Sequence, residues 1–336
     1  MKRIMDVFIK AIEYYLPTGV VTNEELEKNF PEWNAEKVTK KTGISERHIT
    51  SSNETATDLA YEAAIRLFDS NPGIKDSINF LLLCTQSPDY KLPTSACILQ
   101  NRLRLPTSIG AFDYNLGCSG CVYGLAIAKS LIMAGVAKNV LLLTAETYSK
   151  YFHPKDKGNK SLFGDGAAAM CISTEGIARI GEFVLGTDGS GEDNLKVKTG
   201  GARFPVPLNE EAYDSNGYIL SSDHLYMNGA QIFVFTQKNV PRVIEDVLAR
   251  NNLKKEEIDL FILHQANSYM LDFLRKKMHI DEDKFYMFME NVGNTVSNSI
   301  PICLAEAQGK GRLCGNVVLC GFGVGYSWGA VVVAIN

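Results

Sequence analysis

The sequence predicts an α/β fold built from two similar halves, and three observations carry that prediction. Apolar runs of strand length alternate with longer helical patterns. "SINFLLLCTQSPD" (77–89) and "EIDLFILHQANSY" (257–269) share a polar start, a five-residue apolar core and a polar exit, with Ile78 and Ile258 180 positions apart. "GCSGCVYGLAIAKSLIMAGVAKNVLLLTAE" and "NTVSNSIPICLAEAQGKGRLCGNVVLCGFG" each run from loop to small-residue helix, Gly-containing turn and buried strand; Asn139 and Asn316 open the strands 177 positions apart.

Taken in order, "FLLLC" is a buried strand opening into the loop "TQSPD". "GAFDYNLG" ends a strand, and a helix starts near Ser119 or Gly120. "NVLLLTAE" and "AAMCIS" are further buried strands of a first half, 1–176. In the second half, 177–336, "LFILH" and "VVLCGF" are the matching strands, and "NSIPICLAEAQG" is the matching helix. In such sheets sites lie beyond the carboxyl ends of strands. The loops after "FLLLC" and "LFILH" are therefore expected to face one cleft, with Cys118 and Asn294 entering from the second echo.

Composition narrows the function classes. The 336 residues are 46% apolar and 21% charged, with a net charge of −4, an ordinary globular balance that gives no reason to expect nucleic acid or an anionic membrane as partner. The N-terminal stretch lacks a signal-peptide pattern and the longest apolar run is too short to span a bilayer, so the default location is the cytoplasm. Eight cysteines in such a chain are expected to be thiols. No second C-x-x-C or finger-like spacing accompanies Cys118 and Cys121, so no metal site is expected.

Cys118 precedes a helix N-terminus, whose free N–H groups and dipole favour thiolate; it fits a nucleophile, or a small residue at a tight strand-to-helix joint. Cys121 falls one turn further, facing the core. His264 ends a buried strand, where an imidazole is either a satisfied core residue or a general acid/base or donor. Asn294 lies in a Gly-containing loop, suited to a functional amide or to turn chemistry. A cysteine protease shares the order Cys, His, Asn, but "CGSCW" is absent.

In combination these segments carry a specific resemblance. "YLPTGVVTNEELEKNF", "KTGISERHIT", "GCSGCVYGL", "FGDGAAA", "HQAN", "GNTVSNSIP" and "GFGVGYSWGAVVV", in this order along nearly the whole chain, resemble the β-ketoacyl-acyl-carrier-protein synthase III family of condensing enzymes. The resemblance implies a thiolase fold, two duplicated halves in a layered αβαβα sandwich with two five-stranded sheets, and a homodimer. It implies Cys118 as the acyl-accepting nucleophile, His264 and Asn294 as partners that stabilise an enolate, and backbone of the "GFGVG" loop at Gly323 and Gly325 holding an oxyanion. Acyl-coenzyme A or acyl-carrier protein would be substrates, with no metal or other cofactor.

Further residues are assigned by position in the motifs. Leu92, before Pro93, occupies the place of a bulkier Phe on a loop entering the partner's acyl pocket, which predicts room for primers longer than acetyl. Phe163, Trp33, Lys41 and Lys157 are assigned to substrate binding. Lys41 and Lys157 stand where the family has Arg and cannot form its bidentate phosphate fork. Tyr269 stands where the family has Arg after "HQAN". Lys276 and Lys277 are expected to dock acyl-carrier protein. Gly117 replaces the family's Ala before the nucleophile, and Cys121 an aromatic after it. Asp165 and the glycines of "FGDGAAA" are expected to shape a loop.

Three other functions fit parts of this pattern. A specialised condensing enzyme or acyltransferase of a secondary-metabolite or surface-lipid pathway would use the same residues. Hydroxymethylglutaryl-coenzyme A synthase chemistry needs a positioned Glu base, for which the sequence offers no clear candidate. A non-catalytic partner would have lost the Cys, His and Asn that this chain retains.

Overall fold

The computed structural model describes residues 5–215 and 217–336. Ten strands form its main sheet: β1 (Phe8–Tyr15), β2 (Phe80–Cys84), β3 (Gly110–Tyr114), β4 (Val140–Glu146), β5 (Gly166–Ser173), β6 (Ala178–Thr187), β7 (Leu260–Leu263), β8 (Phe285–Tyr286), β9 (Asn316–Gly323) and β10 (Ser327–Ile335). Their spatial order is β3-β2-β4-β5-β1-β6-β10-β9-β7-β8. Outward from the centre, β1-β5-β4-β2-β3 and β6-β10-β9-β7-β8 repeat the same pairing directions, two antiparallel and then two parallel. The two five-stranded sets are joined edge to edge only by the short antiparallel pairing of Phe8 with Arg179 and Ile9 with Ala178. The echo in the sequence is thus an echo in topology.

Six helices complete the layers: α1 (Ala56–Ser70), α2 (Ser95–Arg102), α3 (Gly120–Met133), α4 (Gly229–Arg250), α5 (Ser268–Lys277) and α6 (Ser299–Gly309). Alternation along the strands assigns each a layer, because successive side chains leave opposite faces of a sheet. Leu82 and Leu142 meet Val122 and Leu125 of α3 in the central core, which also holds Ile262, Leu319 and the α6 residues Ile300 and Cys303. Leu81, Leu83, Leu141 and Leu143 face the other way, onto Leu59, Ala63 and Leu67 of α1 and Leu99 of α2. Phe261, Leu263 and Val318 face Val243 and Val247 of α4 and Leu271 of α5. The result is five layers, helix–sheet–helix–sheet–helix.

Strands buried on both faces read as unbroken apolar runs, which is why "LLLC" and "LFIL" were legible. The central pair of helices matters most for function. α3 begins just after Cys118 and α6 just after Asn294, so the two middle-layer N-termini carry both loops to one place. Among the described residues, no helix is long and apolar enough to cross a membrane.

Candidate active site

Cys118, His264 and Asn294 all line a cleft of about 920 Å³, together with Phe163, Gly323, Trp33 and Lys41. Three loops from two halves supply the triad, and each is held by a different device.

The Cys118 loop is held by close packing. A Cβ on Gly323 would lie 2.9 Å from both Cβ and Sγ of Cys118, so only glycine lets β9 approach the thiol. A Cβ on Gly120 would meet the Cys84 sulfur at 2.3 Å. Ser119, the residue before α3, spends its hydroxyl on Ser327 (2.7 Å) rather than on the helix end. The N–H groups of Val324 and of Cys118 itself face the sulfur and favour its thiolate. Burial outweighs them, and with the nearby Glu146 carboxyl pushes the thiol up to about 12. The helix-terminus argument therefore predicted the wrong net direction: desolvation of a 5% exposed thiol exceeds what the N–H groups return.

The "GFGVG" loop also differs from expectation in detail. Its N–H directed at the sulfur belongs to Val324, while Gly323 provides the close approach. Gly325 adopts φ 132° and does not line the cleft. Gly117 has a local reason: a Cβ there would meet Gln86 Oε1 at 2.6 Å and Val324 Cγ1 at 2.7 Å. The extra side chain at 324 and the missing methyl at 117 fill the same space. Cys121 is 1% exposed in the central core.

His264 follows β7 directly. Its Nδ1 lies 2.7 Å from the Ser299 hydroxyl, which is itself 3.0 Å from the Val296 carbonyl. Burial depresses the imidazole to about 3, against a smaller opposing contribution from the Val296 backbone, so it is neutral at physiological pH.

Asn294 is fixed on both sides of its chain and at its side chain. It forms a bridge with Phe163, its N–H donates to Leu162 O (2.8 Å), and its carbonyl accepts from Gly164 N–H (3.0 Å). Its Oδ1 accepts from Val296 N–H at 2.9 Å, which leaves the amide NH2 on the side of Ala266 O and the cleft. Val296 makes this turn with φ 56°, left-handed backbone that a β-branched residue rarely adopts. Phe163 thus buttresses Asn294 besides lining the cleft.

The remaining expected residues distribute unevenly. Trp33 and Lys41 sit at the cleft mouth beside Lys37, on and before the helix Ala35–Thr42. Lys157 does not line it; its ammonium pairs with Glu32 at 2.8 Å and lies over the Tyr218 ring. Leu92 is 82% exposed and outside the cleft of its own chain. Lys276 is exposed near Asp272, whereas Lys277 donates to Gln237 O at 2.7 Å. Tyr269, at the mouth, is 64% exposed and packs on Phe233. Asp165 accepts from the N–H and hydroxyl groups of Thr50 and Ser149, tying "FGDG" to two other loops. The loop after β2, expected to face the cleft, does not line it; its Gln86 lies against Gly117.

Sequence reasoning missed Glu146 and Ser299. Glu146 ends β4 with no exposed surface and accepts from Gln86 N–H (3.0 Å), Ser87 Oγ (3.2 Å) and Ser297 Oγ (2.9 Å). Burial raises its carboxyl to about 8. It is the glutamate the sequence did not offer, yet it is absent from the cleft lining, with both oxygens committed to protein donors. Among the described residues, no three His, Cys, Asp or Glu side chains converge as a metal-binding group.

A duplicated five-layer sandwich with Cys, His and Asn converging on one cleft at its middle helices is a thiolase-fold condensing enzyme. The family model for the 3-oxoacyl-[acyl-carrier-protein] synthase III C terminal matches residues 248–335, and a further 3-oxoacyl-[acyl-carrier-protein] synthase III model matches residues 112–189. A β-ketoacyl-[acyl-carrier-protein] synthase III of Clostridium perfringens is 37% identical over 324 residues, covering 96% of this chain and 97% of that one. A crystal structure of a 3-oxoacyl-(acyl-carrier-protein) synthase III superposes with a TM-score of 0.95 at 49% identity, covering 98% of this chain and all of that one. The Thermus thermophilus enzyme superposes at 0.86 with 31% identity, covering 98% and 99%. The chain belongs to the β-ketoacyl-acyl-carrier-protein synthase III family.

Proposed function

We propose that the chain condenses an acyl primer thioester with malonyl-acyl-carrier protein, releasing CO2 and giving a β-ketoacyl thioester in fatty acid biosynthesis. The observation that carries this is the convergence of Cys118, His264 and Asn294 on one cleft from loops of both halves. The first half, 1–176, provides the nucleophile and the second, 177–336, the donors.

Cys118 attacks the primer carbonyl, its proton leaves with the departing carrier thiol, and the N–H groups of Val324 and Cys118 hold the oxyanion. The malonyl thioester then loses CO2, and the electron pair of the broken C–C bond becomes an enolate. A neutral His264 is suited to donate to that oxygen rather than to protonate it. For its outer nitrogen to carry the proton, the Ser299 hydroxyl donates to Nδ1. The Asn294 NH2 supplies the second donor. The enolate carbon attacks the acyl-cysteine and expels the Cys118 thiolate, which takes a proton from solvent to restore the thiol. Bonds and electrons balance without a redox cofactor or metal.

The substrate's carrier arm enters past Trp33 and Lys41. An acidic carrier protein docks at Lys276, with Lys277 held closer to the body, in a cytoplasmic homodimer whose Leu92 loop meets the partner. This docking is electrostatic, so the KM for carrier-linked substrate rises with salt; a KM indifferent to salt contradicts it. Intact-mass measurement after incubation with acyl-coenzyme A and acyl-carrier-protein donors tests the function. An adduct lost in Cys118→Ala is the expected result, and no adduct from any donor overturns it.

A further inference from the structure

Two buried features surround the triad without a part in the reaction as written: the Glu146 carboxyl and the strained turn at Val296. They are one construction. Val296 leads the single 3-10 turn Val296–Asn298 that opens α6. Its N–H fixes Asn294 Oδ1, and its carbonyl lies 3.0 Å from the oxygen of Ser299, whose hydroxyl donates to His264 Nδ1. Both donors facing the cleft are therefore packed against Val296, Asn294 on its N–H and His264, through Ser299, on its carbonyl side. A β-branched residue in left-handed backbone is strained and persists only where its surroundings over-determine it.

The surroundings are visible. The residue after Val296 is Ser297, and its hydroxyl donates to Glu146 Oε1 at 2.9 Å. Asn298 donates its amide to Gly166 O (2.7 Å) and Thr295 O (3.0 Å). The other Glu146 oxygen accepts from Gln86 N–H and Ser87 Oγ in the loop after β2. Gln86 in turn abuts Gly117, the residue before the nucleophile, and hydrogen-bonds Tyr148 and Asn115 through its side chain. One carboxyl thus spans the two halves, with its back to the nucleophile loop and its front on the donor turn.

We propose that Glu146 is a positioning residue that holds the strained Val296 turn in place, so that Asn294 and His264 stay aimed at the enolate. The inference rests on the proposed roles of those three residues. A buried carboxyl is a costly way to tie two loops, since hydroxyl or amide pairs serve the same geometry. The ionisable groups facing it are Cys84 of β2, Tyr114 of β3, Cys118, Tyr148, Tyr151 and Asp165. Each becomes negative on ionisation, and burial likewise favours the neutral form of Glu146 itself.

Two substitutions separate the tie from the charge. In Glu146→Gln the amide oxygen keeps the Gln86 and Ser87 bonds, and the NH2 donates to a rotated Ser297 hydroxyl. Glu146→Ala removes both. The experiment uses the purified full chain and measures two quantities: Cys118 acylation by intact mass and malonyl decarboxylation in a Cys118→Ala background. Glu146→Ala is expected to lower decarboxylation by about 10²-fold while acylation falls far less. Glu146→Gln is expected to restore most of the decarboxylation. Equal losses of acylation and decarboxylation in Glu146→Ala, or no recovery of decarboxylation in Glu146→Gln, overturn the proposal. A parent chain that is never acylated at Cys118 overturns the underlying reading instead, so the two failures are distinct.

Discussion

The loops entering α3 and α6 occupy equivalent places in the two halves but are built by opposite means. The first, Gly117–Gly120, is fixed by the absence of side chains: glycines at 117, 120 and 323 let three backbone segments close on one sulfur. The second, Asn294–Ser299, is fixed by side-chain hydrogen bonds, through Asn294, Ser297, Asn298 and Ser299, and carries the strain at Val296. A nucleophile must be approached by a substrate carbon and an oxyanion loop, so space is the scarce quantity there. Donors must be aimed, so orientation is scarce in the other loop. On the proposed reading, the duplicated frame is shared and each copy of the loop serves one half-reaction.

Substitutions that attack space or orientation break this comparison selectively. Gly323→Ala puts a methyl 2.9 Å from the sulfur, and acylation measured by intact mass should fall about 10²-fold or more, with decarboxylation less affected. Asn294→Ala should leave the acyl-cysteine forming and lower malonyl decarboxylation by about 10²-fold to 10³-fold, the usual loss for one oxyanion donor. Equal losses in both half-reactions for either variant contradict the division of labour.

The pH dependence of the donor loop follows from burial. His264 is held near 3 in the folded chain against about 6.5 unfolded. Its neutral form is favoured by folding, so its contribution to stability is complete above about pH 6.5 and is lost as pH falls toward 3. Decarboxylation in Cys118→Ala should therefore show no imidazole titration between pH 5 and 7; a bell limb near 6.5 contradicts a neutral donor. Glu146 runs the other way: with its carboxyl raised to about 8, its protonated form is favoured, and stability is lost as pH rises from the ordinary carboxylate range through 8. The smallest expected effect is at Gly117. Gly117→Ala should destabilise by about 1–3 kcal/mol through overpacking, and Val324→Ala in the same chain should recover most of it. Additive losses in the double variant contradict a shared space.

The sequence made the frame and the triad legible for particular reasons. "FLLLC" and "LFILH" announce buried strands by continuous apolar runs, and their common spacing exposes the duplication. Cys118, His264 and Asn294 stand out because each follows a strand or precedes a helix at an echoed position. Glu146 was hidden because a carboxyl at the end of "VLLLTAE" looks like a strand reaching solvent; its donors come from positions 86, 87 and 297, far away in the chain. Val296 was hidden because its backbone contradicts the preference of its own residue type, and only tertiary context supplies that. The protonation of Cys118 was misjudged because a helix end is visible in a sequence and the depth of burial is not.

The central claim is that the two halves carry separable half-reactions in one cleft. It is tested most directly by measuring acyl-enzyme formation and malonyl decarboxylation side by side in Cys118→Ala and His264→Ala. The account predicts that Cys118→Ala forms no acyl adduct yet still decarboxylates malonyl-acyl-carrier protein, while His264→Ala is acylated and decarboxylates far more slowly. Decarboxylation that vanishes with Cys118 and survives without His264 would contradict it.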